Sequence, residues 1–312
     1  MLSLLSYITW TASPIIAQLG PWHLGSLEIG PLVLRWYGLL FMSGFVFGTF
    51  VLAHIYKSEK VSPQWVDVIT IYMLIGTIVG ARLGHVLFYD PGYYLTKEHF
   101  VEIFKIWEGG LASHGATLGI LLATWLFSRN NKFDYLWVLD RIVIVVALGG
   151  ALIRLGNLFN SEIIGKVTDV PWAFKFARYN EIHHELTNIP NELHHPTQIY
   201  ESLFCVFLLV LLYAMWNRTR ERTPRGQLFG LFVVLLFTFR FLVEYLKENQ
   251  VAAETGLIQT LHMNIGQLLS VPLILVGLWV LLRAGKDPKN PYGYAPRDLG
   301  REEEAQRLAK AK

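Results

Sequence analysis

A chain of 312 residues that is 53% hydrophobic and only 16% charged is too apolar for an ordinary soluble domain, where charged residues make up about 25%. Its mean hydropathy of +0.38 points to a polytopic membrane protein. The formal net charge of +3 is too small for a nucleic-acid binder. The lone cysteine, Cys205, rules out an internal disulfide and a cysteine-built metal site; within the apolar run ESLFCVFLLVLLYAMW its expected role is packing.

Residues 1–20 are apolar without a lysine or arginine, so the positive region of a secretory signal is missing and a cleaved signal is only the lesser alternative; residues 1–30 read together as one segment. This segment is expected at the outer interface of the membrane, with Trp10 and Trp22 in the aromatic belt. Apolar runs long enough to span follow at about 32–56, 66–89, 111–127, 136–159, 197–216, 228–246 and 265–282. Residues 160–195 are polar and mixed, too long for a tight turn, and read as a small lobe outside the membrane. The expected fold is an all-α polytopic membrane protein of about seven transmembrane helices with that small extracytoplasmic lobe. One integral-membrane domain covers residues 1–285, and a polar tail at 286–312 carries a potential short helix in REEEAQRLAKAK.

Orientation follows from the basic residues. Lys57 and Lys60, then Arg129 and Lys132, then Arg218, Arg220, Arg222 and Arg225, then Arg283, Lys286 and Lys289 fall in alternate connections. In an opposite connection, Lys97 and Lys105 are balanced by Asp90, Glu98, Glu102 and Glu108. This places the N-terminus outside and the tail in the cytoplasm.

Ionisable groups inside spans need a reason to be there, since an arginine at a helix centre costs roughly 2.5–3.5 kcal/mol on insertion scales. The stretch ALIRLGNLFNSEIIG places Arg154 and Asn157 three residues apart, on one helical face, with Asn160 and Glu162 close behind. Arg82 lies in GARLGHVLFYD, and His114 in EGGLASHGATLG. Tyr37 belongs to a WYG triplet, and Glu201 follows His195, Pro196, Gln198 and Tyr200. Arg240 and Glu244 are four apart and can pair along a helix. Under the assigned orientation all of these fall towards the outer half. Arg82, Arg154 and Arg240 exceed the nearby carboxylates, and a surplus of guanidinium suits a phosphate at headgroup depth. The same residues also fit a structural network between helices, or arginines reaching for the interface. The pairs His183/His184 and His194/His195 lack the spaced ligands of a tetrahedral metal site. Phosphate-binding loops, GxSxG and HExxH are absent from the sequence.

Between WYG at Trp36–Gly38 and SVP at Ser270–Pro272, the pieces GARLGHVLFY, EGGLASHGATLGI, RLGNLFNSEIIG, HPTQIYES and FRFLVEY resemble the bacterial prolipoprotein diacylglyceryl transferases. The pair RLGNxxNxExxG and HPxQxYE is the most specific part of the match. The resemblance implies transfer of diacylglyceryl from phosphatidylglycerol to the thiol of a lipobox cysteine in a prolipoprotein. Glycerol phosphate is the other product, and neither metal nor other cofactor is implied. Partners would be that lipid, the prolipoprotein signal peptide and the bilayer of a bacterial cytoplasmic membrane, with no nucleic acid. Carried over by position, Arg154 corresponds to the lipid-binding arginine, and Asn157, Glu162 and Gly165 to the rest of its signature. His114 corresponds to the histidine of the glycine-rich segment, Tyr37 to the tyrosine of the first span, and Arg240 and Glu244 to the arginine and glutamate of the sixth. His114, Arg154 and Arg240 are then the expected catalytic set, with Tyr37, Arg82, Asn157, Glu162, Gly165 and Glu244 binding substrate. Leu236 stands where the family often has tyrosine, and Ile153 where it often has glycine. A transporter or lipid-binding scaffold for an anionic substrate is the competing reading. An intramembrane protease is a third, disfavoured by the missing nucleophile element.

Overall fold

The structure, a computed structural model, describes residues 7–25, 27–106, 109–180, 185–188, 192–248 and 263–284. The His183/His184 pair and the tail at 286–312 lie outside the described residues. Seven long helices follow the apolar runs: α1 (Trp36–Ser58), α2 (Gln64–Phe88), α3 (Ser113–Asn131), α4 (Tyr135–Phe159), α5 (Thr197–Thr219), α6 (Gln227–Val243) and α7 (Ile265–Ala284). Six of the described helices are long and apolar enough to cross a membrane; α3 is the one that falls short. Phe50, Leu203, Val210 and Leu275 are exposed on helix faces, a liability in water and the stable arrangement in hydrocarbon. The protein is a multi-pass membrane protein.

The described residues group into two compact units: those of 7–48, Val143–Arg218 and Gln227–Arg283 in the first, and those of Thr49–Ile142, Thr219–Gly226 and Ala284 in the second. Within the second unit, α3 is short of apolar residues because glycines let it press against α2. A Cβ on Gly76 would stand 2.6 Å from Ala123 Cβ, and one on Gly84 would stand 2.6 Å from Gly115 Cα. Side chains there would force the helices apart. The same unit holds a buried charge cluster. Arg141 Nη2 donates to both Glu59 oxygens, at 2.9 and 3.0 Å, its guanidinium lies 4.5 Å from the Trp137 ring centroid, and Asp140 Oδ2 accepts from the Gly226 amide at 2.6 Å.

The first unit departs from the all-helical expectation near its N-terminus. Five short strands precede α1: β1 (Ile8–Trp10), β2 (Ile15–Leu19), β3 (Trp22–Leu24), β4 (Leu27–Ile29) and β5 (Leu32–Arg35). The first helix therefore starts later than its apolar run, because Leu32–Arg35 is drawn into antiparallel pairing with β2. β1 runs parallel to β6 (Phe174–Asn180), which pairs antiparallel with β7 (Glu185–Asn188). Trp10 fastens this sheet to α4: its Nε1 donates to the Leu158 carbonyl at 3.0 Å, and its ring meets those of Phe159 and Phe174. Leu158, Ile164, Phe174 and Phe176 form the small core beneath.

Candidate active site

The site grows from the C-terminal end of α4. Arg154 Nη1 donates to Asn157 Oδ1 at 3.3 Å, as their spacing on one helical face implies. The helix ends at Phe159, and the chain then turns sharply, with Ser161 at φ 52° and Ile163 at φ 57°. A β-branched residue in the left-handed region is strained, at about 1–3 kcal/mol. The turn is held from α5: Thr197 Oγ1 donates to the Ile163 carbonyl at 2.8 Å and Gln198 Nε2 to the Glu162 carbonyl at 2.5 Å. It brings the Glu162 carboxylate back to Asn157 Nδ2 at 3.3 Å and Asn160 Nδ2 at 3.0 Å. Two glycines are there for contact. A Cβ on Gly156 would lie 2.8 Å from the Tyr37 ring, and one on Gly165 would lie 2.6 Å from the His195 carbonyl oxygen.

A second tier of charge lies behind Arg154. Its Nε is 3.1 Å from Glu201 Oε2, and the other oxygen of Glu201 accepts from Lys247 Nζ at 3.1 Å. Lys247 also donates to Glu244 Oε1 at 2.9 Å, and Glu244 Oε2 accepts from Asn264 Nδ2 at 3.1 Å. The expected pairing of Arg240 with Glu244 does not occur among the described residues. The α-helix stops at Val243, Glu244–Leu246 is a 3-10 turn, and that turn presents Glu244 to Lys247 instead. Arg240 lies in the electrostatic reach of Arg154, Glu201 and Glu244, without an ion pair to a described residue. The expected surplus of guanidinium is likewise corrected. In the cluster around Glu201, among the described residues, Arg154, Arg240 and Lys247 lie near Glu162, Glu201 and Glu244, three against three. Among the described residues the cluster therefore holds spare guanidinium donors rather than excess charge. Cys205 has the packing role expected of it: a Cβ on Gly150 would lie 3.1 Å from its sulfur.

Arg82 and His114 belong to the second unit. The Arg82 guanidinium donates to the carbonyls of Glu102 (2.6 Å), Ile103 (2.8 Å), Gly109 (2.7 Å) and Gly110 (3.2 Å), with the Tyr94 ring centroid 4.9 Å away. Gly109 and Gly110, at φ 94° and 68°, turn the chain so that these carbonyls face it. Arg82 thus clamps the segment that leads into α3. His114 is the second residue of α3, with an exposed side chain.

Of the second histidine pair, His194 is buried with Nδ1 2.9 Å from the Gly165 carbonyl. The Tyr200 hydroxyl accepts from Trp172 Nε1 at 2.8 Å and lies within hydrogen-bonding distance of His195 Nδ1, 3.1 Å away. Burial pushes His195 below the usual imidazole range. Two members of the cluster escaped the sequence reading as site residues. In the sequence Glu201 reads only as a polar group in a span, and Lys247 as one more basic residue after one. The signal for Lys247 is its position three residues beyond Glu244.

The fold is that of a multi-pass membrane protein, with two arginines that described residues satisfy only in part and a strained turn beside them. The model of the prolipoprotein diacylglyceryl transferase family matches residues 25–283. The chain is 43% identical over 92% of its length to the phosphatidylglycerol–prolipoprotein diacylglyceryl transferase of Porphyromonas gingivalis, covering 98% of that protein. It is 44% identical over 89% of its length to the enzyme of that name from Tolumonas auensis, covering 98% of it. A Chloroherpeton thalassium relative with the same name is 41% identical over 90% of this chain and 96% of its own. The chain belongs to the prolipoprotein diacylglyceryl transferase family.

Proposed function

We propose that this enzyme transfers the diacylglyceryl group of phosphatidylglycerol to a prolipoprotein, at the cysteine thiol of its lipobox. The family membership supports this transferase reading and not the transporter or scaffold alternative. In the reaction the thiolate sulfur bonds to the glycerol carbon that carries the phosphate. The carbon–oxygen bond breaks, and glycerol phosphate leaves with the bonding pair. Negative charge on the departing phosphate is what the site must stabilise.

The observation that carries the assignment of roles is the state of the two arginines. Arg154 donates to Asn157 and stands as an ion pair 3.1 Å from Glu201 Oε2, an oxygen that accepts no hydrogen bond, so it keeps guanidinium hydrogens in hand; Arg240 has no ion pair to a described residue. Both can fork onto phosphate oxygens. Asn157 and Glu162 hold Arg154 and the turn, Gly156 makes room for Tyr37 beside them, and Gly165 lets the backbone at His195 pass close by. Glu244 acts at one remove, through Lys247 and Asn264. The part of Arg82 in substrate binding is to hold the loop before His114. His114 is the proposed acceptor of the thiol proton, because imidazole is the side chain that ordinarily titrates nearest neutral pH.

Residues 1–285 act as one catalytic domain in a bacterial cytoplasmic membrane, N-terminus outside and the tail at 286–312 in the cytoplasm; the alternating basic connections support this. Incubating detergent-purified protein with phosphatidylglycerol and a lipobox peptide should yield the thioether-linked product by mass spectrometry. No product, from protein of verified fold, overturns the reading.

A further inference from the structure

Lys247 is buried within the range of the apolar core residues, at 3% exposure. An ammonium group taken out of water costs several kcal/mol unless charges and hydrogen bonds replace its hydration. Two carboxylates do so here: Glu201 at 3.1 Å and Glu244 at 2.9 Å. Its main chain is committed as well, since Lys247 pairs with Gly165 as an isolated antiparallel bridge and the Lys166 amide donates to the Leu246 carbonyl at 2.7 Å. One residue thus ties the end of the signature turn, α5 and the end of α6 together.

The important feature is how Glu201 is divided. One oxygen faces Arg154 and the other faces Lys247, each at 3.1 Å, and the carboxylate is 4% exposed. Water cannot soften this competition, so what Lys247 draws from Glu201 is not available to Arg154. The row Arg154–Glu201–Lys247–Glu244 alternates in sign and sums to zero. Removing the Lys247 charge would leave the row at −1, with Glu201 wholly engaged by Arg154. Both changes oppose entry of an anion.

We infer that Lys247 is a positioning residue that sets the affinity of this site for the lipid phosphate, by sharing Glu201 with Arg154 and so keeping the Arg154 guanidinium open. The inference rests on the transferase reading above and deepens it. It touches ground-state binding of the lipid more than the chemical step, so its mark is on KM.

The test is steady-state kinetics with phosphatidylglycerol vesicles and a lipobox peptide, per folded molecule, with thermal midpoints recorded for each variant. Lys247→Met should raise KM for the lipid at least about tenfold while kcat stays within about threefold. Lys247→Arg, which keeps the charge, should restore KM to within about threefold of the parent. Glu244→Gln should act in the opposite sense. It leaves Lys247 wholly to Glu201, loosens Glu201 from Arg154 and lowers KM about threefold. Should Lys247→Met fail to fold, the sign of the Glu244→Gln effect and the behaviour of Lys247→Met/Glu201→Gln decide. The double variant restores neutrality and should bind lipid more tightly than Lys247→Met wherever both can be measured, or near the parent where only it folds. An unchanged KM in Lys247→Met, a raised KM in Glu244→Gln, or KM losses that simply add in the double variant would overturn the inference. An inactive parent protein would instead sink the transferase reading, which the variants alone cannot do.

Discussion

Arg141 and Arg154 lie on the same helix, α4, and differ in what their guanidinium groups have left to give. Arg141 is 0% exposed: Nε and Nη2 fork onto Glu59, Nη1 reaches the Trp137 carbonyl, Asp140 stands 3.8 Å away and the Trp137 ring covers one face. Arg154 keeps 17% of its side chain exposed, with one carboxylate at 3.1 Å and one long hydrogen bond. An arginine within a membrane is therefore not by itself a functional mark. The mark is an arginine whose surroundings stop short of satisfying it. Arg82, spent on four carbonyls, falls on the side of Arg141.

Breaking the satisfied site should have the largest effect, and on stability. Arg141→Met strands the buried Glu59 and should cost about 3–5 kcal/mol, seen as a lower thermal midpoint in detergent. Activity per folded molecule should survive, and Arg141→Met/Glu59→Met should regain much of the loss. A midpoint unchanged in Arg141→Met would remove the distinction between the two arginines.

The unsatisfied site should answer in turnover instead. Arg240→Gln should lose about 10²–10³ in kcat, the scale of deleting one group that stabilises a leaving charge, whereas Glu244→Gln stays active. Equal losses of turnover in both, tracking equal losses of stability, would make Arg240 a structural residue. Arg154→Lys keeps a charge without the planar fork and should drop activity at least about tenfold, some 1.4 kcal/mol. Membrane yield should be normal, and turnover like the parent's would end the role of Arg154 as phosphate anchor.

The smallest effect is expected from His195. Its folded-state pKa lies below the ordinary imidazole value because of burial. As pH falls through that ordinary value, the unfolded chain takes up the proton first, so this contribution to stability is complete above it and is lost below. Thermal midpoints at pH 7.5 and 5.5 should therefore fall further in the parent than in His195→Gln; identical falls would show that His195 contributes nothing.

Sequence reading reaches as far as periodicity and local spacing carry. The apolar runs mark the helices to within a few residues, and the spacing of Arg154 and Asn157 on one face anticipates their hydrogen bond. Pairings between distant segments escape it. β1 is three residues, and nothing in ITW names a partner in Phe174–Asn180. Lys247 resembles any basic residue at the end of a span until the fold brings Glu201 to it. Arg141 sits unannounced in VLDRIVIVV, because its partner Glu59 lies beyond the end of another helix. The Arg240–Glu244 expectation fails for a local reason, the 3-10 turn that no propensity in FLVEYL forecasts.

The parallel ladder of β1 and β6 also counts. Two segments that share hydrogen bonds must stand on the same side of a bilayer, so an even number of crossings separates them. Between Trp10 and Phe174 lie α1, α2, α3 and α4, of which three pass as membrane-crossing on length and hydropathy. Three is odd. Parity therefore requires the fourth crossing from α3, the glycine-lined helix too polar to be recognised by its own hydropathy. The bridge of Gly165 to Lys247 keeps the same arithmetic, enclosing only α5 and α6.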